Sequence, residues 1–208
     1  MSDPKYVVIT AGNCSAANRA AALKNMNDFS KDLHNGTDVL ATRHGVTLSG
    51  LNPGALVFIQ MYHSLAGLES AMDVISTSSA YASLINDQKV QPYVRNIAKV
   101  ADVPFDNAAA VDVKYLVFTR AERLSLSVQE MTEKIVATAP IFAANGAQSL
   151  RFGQLMTGES IGQHLLGVSY KSMAAIEKTY DALAQDDNFR QMSTEIDINM
   201  RSIIQLYS

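Results

Sequence analysis

Residues 43–84, RHGVTLSGLNPGALVFIQMYHSLAGLESAMDVISTSSAYASL, return without a gap as residues 151–192, RFGQLMTGESIGQHLLGVSYKSMAAIEKTYDALAQDDNFRQM. The offset is 108 throughout, and nine of the 42 positions are identical: Arg43/Arg151, Gly45/Gly153, Gly50/Gly158, Gly54/Gly162, Tyr62/Tyr170, Ser64/Ser172, Ala66/Ala174, Glu69/Glu177 and Asp73/Asp181. Upstream, Lys5-Tyr-Val-Val-Ile-Thr10 comes back as Lys114-Tyr-Leu-Val-Phe-Thr119. Self-similarity at a fixed period marks a duplicated structural unit. The chain therefore divides into one unit over 1–101, a linker over 102–112, and a second unit over 113–208.

Periodicity gives each unit its elements. Leu65, Leu68, Met72 and Ile75 recur as Met173, Ile176, Tyr180 and Leu183, a 3-4-3 spacing that lines one helix face. Ser64 and Ser172 stand where an N-cap oxygen would meet free amides. Tyr81 and Leu84, matched by Phe189 and Met192, add a further short helical turn. The glycines of 50–54 and 158–162 make hairpin turns between two strands. The order is strand, helix, strand, strand, helix, strand: about 5–11, 15–34, 40–49, 55–62, 64–76 and 92–100, then about 113–120, 125–144, 148–157, 163–170, 172–184 and 196–206. The last strands share Arg95-Asn-Ile and Arg201-Ser-Ile.

A βαββαβ unit is α+β, with helices on one face of an antiparallel sheet and the other face bare. Two such sheets in one chain can cover each other. This order, with Leu56-Val-Phe-Ile-Gln-Met-Tyr62 running into His63-Ser-Leu-Ala-Gly-Leu-Glu69, resembles the dimeric α/β-barrel superfamily. That superfamily includes antibiotic-biosynthesis-type monooxygenases and NIPSNAP-like proteins, and the strand-to-helix stretch is most similar to the latter. The resemblance implies two tandem ferredoxin-like repeats closing an intramolecular barrel. It also implies a range of chemistries: cofactor-independent monooxygenase, isomerase, haem protein, or no activity at all.

Composition narrows the classes. Seventeen Lys and Arg against 20 Asp and Glu give a formal charge of −3, which offers no basic field for nucleic acid. No window is long and apolar enough to span a bilayer, and MSDPKYVVIT lacks the positive charge of a signal peptide. Cys14 is the single cysteine, so the chain is expected to be cytoplasmic and free of an internal disulfide. No ligand spacing for a metal and no dinucleotide glycine motif is present. The absence of tryptophan departs from the asparagine, tryptophan and histidine trio of haem-degrading barrel members.

Strand alternation then proposes a site inside the barrel. Val7, Ile9, Leu116 and Phe118 are assigned to the helices, which turns Tyr6, Thr10, Tyr115 and Thr119 inward as substrate-binding residues. His44, Val46 and Leu48 go to the helices and leave Arg43 and Arg151 inside. Phe58, Gln60 and Tyr62, with His164, Leu166, Val168 and Tyr170, are also assigned inward. Arg43 or Arg151 would hold a carboxylate or enolate, and His164, Tyr62 or Tyr170 would move a proton. The alternative for the arginines is a scaffold pairing with Glu69, Asp73, Glu177 or Asp181. The ligand is expected to be a small molecule, with no cofactor and no metal. Enzyme, non-catalytic binding or stress-associated protein, and haem protein with His164 or His63 as axial ligand all stay open, as does pairing of two fused barrels.

Overall fold

The structure, a computed structural model, describes residues 3–107, 110 and 112–207. Its first half runs β1 (Tyr6–Asn13), α1 (Arg19–Gly36), β2 (Ala41–Ser49), β3 (Leu56–Tyr62), α2 (Leu65–Thr77), α3 (Ser79–Asn86) and β4 (Gln91–Val100). The second repeats the order as β5 (Tyr115–Arg123), α4 (Val128–Ala144), β6 (Ala147–Leu155), β7 (His164–Tyr170), α5 (Met173–Gln185), α6 (Asp187–Glu195) and β8 (Ile196–Tyr207). The extra turns expected after the second helices are full short helices, α3 and α6. Ser64 accepts from the Gly67 amide (3.4 Å) and Ser172 from the Ala175 amide (3.2 Å), so both helix starts are capped as their sequence requires.

All eight strands close one antiparallel barrel in the order β1-β3-β2-β8-β5-β7-β6-β4. Each half contributes a ferredoxin-like sheet, and two seams, β2 against β8 and β4 against β6, join them. Glycines sit at both seams because the backbones come too close for a side chain. A Cβ on Gly45 would stand 2.2 Å from the Gln205 carbonyl oxygen, and one on Gly153 2.4 Å from that of Lys99. The turn glycines answer a different demand: Gly50, Gly54, Gly158 and Gly162 all have φ between 87° and 89°, a region costly for other residues.

The barrel interior is filled. Val7, Ile9, Val57, Ile59, Leu116, Leu165 and Ile204 from both halves form one apolar cluster. The helices cover the outer face of each half with separate clusters, around Phe29, Phe58 and Tyr62 in the first and around Phe142, Phe152 and Tyr170 in the second.

This arrangement corrects the assignment of faces on four strands. On β1 and β5 the interior set is Val7, Ile9, Leu116 and Phe118, so Tyr6, Thr10, Tyr115 and Thr119 face the helices instead. On β3 and β7 the set from Phe58 to Tyr62, and from His164 to Tyr170, also lies under the helices. Sheets buried on both faces carry apolar residues at both parities, and alternation loses its contrast. Packing decides instead. Phe58 is needed against Phe29 (ring centroids 5.2 Å apart), and Gly167 leaves interior space for the Phe118 ring, 2.9 Å from where its Cβ would be. The β2 and β6 assignments hold: His44 stacks on Phe58 under α1, and Arg43 and Arg151 have the interior parity.

Candidate functional site

Arg43 and Arg151 lie at one end of the barrel, where they fasten segments outside the repeats. Arg43 donates to the carbonyls of Thr42 (3.0 Å) and Ala110 (3.3 Å), and Arg151 pairs with Asp3 (3.0 Å). Burial and the nearby Arg151 charge both lower the Arg43 pKa. The expected carboxylate partners, Glu69, Asp73, Glu177 and Asp181, are not used. His164 is on the opposite face of the sheet, so the histidine and the two arginines do not share a site.

Open space lies elsewhere, between sheet and helices, in each half. The second-half hollow, about 30 Å³, is bounded by His164, Thr119, Arg201, Tyr180, Phe142 and Met192, among others. The first-half hollow, about 50 Å³, is bounded by Leu56, Gln60, Thr10, Arg95, Tyr81 and Met26, among others.

The same backbone device frames both. Thr10 of β1 is in register with Arg95 of β4, and Gly12 with Leu56 of β3. Thr119 of β5 is in register with Arg201 of β8, and Ala121 with His164 of β7. In both halves the first strand slips register against the last strand between these positions, at Ala11/Gly12 and at Arg120/Ala121. Such irregularities re-aim side chains and recur beside functional sites. From strand spacing, the Cα atoms of Arg201 and His164 stand on the order of 12 Å apart. Both residues line the second-half hollow.

Each arginine is exposed at the mouth and held in place. Arg95 donates through Nε to Thr10 Oγ1 (3.3 Å) and through a terminal nitrogen to the Tyr81 hydroxyl (3.3 Å). Arg201 donates through Nε to Thr119 Oγ1 (3.2 Å) and lies over the Tyr180 ring, 4.5 Å from its centroid. Among the described residues neither has a carboxylate partner. A planar guanidinium fixed at one edge keeps its other N–H groups for an anion.

The floors differ. His164 is 2% exposed, stacks on Phe152 at 5.4 Å, and has no hydrogen-bond partner on either ring nitrogen. Burial first, and the positive charge of Arg123 second, push its pKa down to about 4. It is therefore a neutral imidazole at pH 7. In the first half the matching position is Leu56, and the polar floor is Gln60, whose Oε1 accepts from Tyr62 Oη (2.5 Å). The matching residue in the second half is Val168, so Tyr170 lacks the amide acceptor that Tyr62 has. Its neighbour Thr179 gives its own proton to the Ala175 carbonyl (2.8 Å) and keeps its oxygen to accept from Tyr170. Burial raises the pKa of both Tyr62 and Tyr170, so neither is a ready base.

Of the residues expected at a site, Thr10, Thr119 and His164 thus reach a hollow, outside the barrel instead of inside it. Tyr6 and Tyr115 are in register with Tyr62 and Tyr170 at the other end of their strands. His63 is half-buried where β3 turns into α2. Arg95 and Arg201 were visible as a shared pair in the last strands, but strand arginines with no charged neighbour in sequence read as ordinary surface.

A closed barrel of two ferredoxin-like sheets with one small hollow per half defines a dimeric α/β-barrel protein with intramolecular pairing. The chain belongs to the family of the domain of unknown function DUF6854, whose model matches twice, over residues 4–100 and 113–206. No curated protein matches it in sequence. Among solved structures, a provisionally assigned monooxygenase of Fusobacterium nucleatum subsp. nucleatum superposes with a TM-score of 0.71 at 11% identity, covering 100% of this chain and 94% of the other. A provisionally assigned chlorite dismutase gives 0.70 at 9% identity, covering 100% and 96%. A haem-binding protein of Thermus thermophilus gives 0.60 at 10% identity, covering 100% and 92%. At these identities the likeness concerns the fold. No helix among the described residues is long and apolar enough to cross a membrane.

A haem, as named for the Thermus thermophilus protein, can be tested against the residues here. A neutral, unpartnered imidazole is a suitable axial donor. The space is not suitable: about 30 Å³ adjoins His164, whereas pockets for organic ligands of this size run to several hundred Å³. Phe142, Met131, Leu183 and Met192 are packed there. As these residues pack, they do not fit the group.

Proposed function

We propose that the chain is a small-molecule enzyme of the isomerase kind, acting on short enolisable carboxylic acids in the second-half hollow. Arg201 holds the carboxylate at the mouth. His164 takes the proton from the carbon next to the carbonyl; the C–H electron pair becomes the new C=C bond, and the carbonyl π pair moves to oxygen. The proton is returned to that oxygen, so the keto acid becomes its enol with no further reactant, and the reverse step exchanges the carbon-bound hydrogen with solvent. Water-sized groups need about 10–15 Å³ each, so the hollow accepts two or three atoms beyond the carboxylate, as in pyruvate.

The observation that carries this reading is His164 itself. A buried imidazole with both nitrogens idle is costly, by about 1–3 kcal/mol, and its stacking on Phe152 does not require a histidine, since apolar Leu56 serves at the same place in the other half. Enolate formation is also where a cofactor-independent oxygenation begins, so the monooxygenase kind would use the same two residues. The reading takes the protein as cytoplasmic.

Proton NMR in D2O tests it. The protein should speed loss of the pyruvate methyl signal, and His164→Leu should lower that rate at least about a hundredfold while pyruvate still perturbs Arg201. Equal rates for the two proteins would overturn the assignment. Binding to Arg201 with no exchange in the unaltered protein would leave a non-catalytic carrier.

A further inference from the structure

The first-half hollow is framed like the second but cannot do the same chemistry. Its mouth carries Arg95, positioned by Thr10 and Tyr81 and without a carboxylate partner among the described residues. Its floor carries Gln60, 2% exposed. Tyr62 donates to Oε1 and so fixes the amide plane, while Gln60 Nε2, on a residue that borders the hollow, makes no hydrogen bond among the described residues. The walls, Met26, Phe29, Phe58 and Leu84, are apolar.

Three features therefore point to one kind of ligand. The guanidinium asks for a carboxylate, the amide N–H for a neutral oxygen a few atoms away, and the walls for carbon. We infer that the first half holds a second, non-reactive binding site for short oxo acids, with the carboxylate on Arg95 and the oxo oxygen accepting from Gln60 Nε2. No base is present, because Leu56 replaces the imidazole, so the acid is held and not deprotonated. At about 50 Å³ against 30 Å³ the first-half hollow also takes about one carbon more than the second. The reading of the second half supplies the class of ligand and nothing else.

The test is a titration of the full-length protein with pyruvate and with 2-oxobutyrate, followed by NMR at four groups: Arg95 Nε–H, the Gln60 side-chain amide, Arg201 Nε–H and the His164 ring. Saturable shifts at Arg95 and Gln60 are expected, with 2-oxobutyrate the tighter ligand there. Gln60→Val places the second half's own residue at this position and so keeps the fold; it should weaken binding at the first pair about tenfold and leave shifts at Arg201 and His164 in place. Shifts confined to Arg201 and His164 would overturn the second site and leave the proposed activity standing. Shifts confined to Arg95 and Gln60 would do the reverse. If neither acid moves any of the four, both readings fall.

Discussion

The two hollows are built from equivalent strands in the same register, with an arginine held by a threonine at each mouth, yet their floors differ in polar character at two positions. Where the first half has Leu56 and Gln60, the second has His164 and Val168. The exchange replaces an amide that accepts from Tyr62 by an imidazole with no hydrogen-bond partner, and leaves Tyr170 without the amide partner that Tyr62 has. Shared parts therefore report what the fold requires and, under the proposed reading, what a common ligand head group requires. The unshared parts report what one half does and the other does not.

The largest test of the comparison separates the halves. Cutting the chain at Asn107 leaves β2 and β4 of one half and β6 and β8 of the other without their seam partners, and exposes the shared apolar interior. Each half expressed alone should be insoluble or self-associated on gel filtration. Two well-behaved monomers would show that the halves do not depend on each other.

A smaller effect concerns acid. His164 titrates at about 4 when folded, below its ordinary 6.5. Its neutral form is favoured by folding, so its contribution is intact above pH 6.5. As pH falls from there toward 4 the unfolded chain takes up a proton that the folded chain refuses, and stability drops by on the order of 3 kcal/mol. Burial, then Arg43, lowers the His44 pKa too, which adds a loss of the same sign. Urea unfolding between pH 7 and 4 should show this slope, and His164→Leu should flatten it in part. An unchanged slope in that variant would mean that the imidazole is solvated.

The smallest expected effect repairs the second floor. Val168→Gln offers Tyr170 the amide acceptor that Gln60 gives Tyr62, in place of Thr179, and should stabilise by at most about 1 kcal/mol, or about 2–4 °C in Tm. A lower Tm would show that the second hollow has no room for the amide.

Much of the architecture was legible because it was written twice. Gly50 and Gly158 announced turns and Ser64 and Ser172 announced helix starts, whereas Gly45 and Gly153 were only a repeated pair until the seams showed the close approach that requires them. The faces of β1, β3, β5 and β7 were not legible, because Val7 and Val8 are equally apolar and only the fit of Phe118 over Gly167 separates inside from outside. The site was half legible. His164 stood out by breaking the repeat, but Arg201 is completed by Tyr180 whereas Arg95 is completed by Tyr81, and these tyrosines are not equivalent positions. A contact that changes partner between copies leaves no repeated trace.

Residues 101–114 connect β4 to β5, and Ala101, Val103 and Phe105 pack against the second half. Two identical subunits meeting at the same seams would have to carry a histidine on both floors or on neither. One polypeptide is under no such symmetry, so a substitution such as leucine for histidine can be inherited on one side alone. The covalent join thus frees each copy to diverge while the seams keep both in one body.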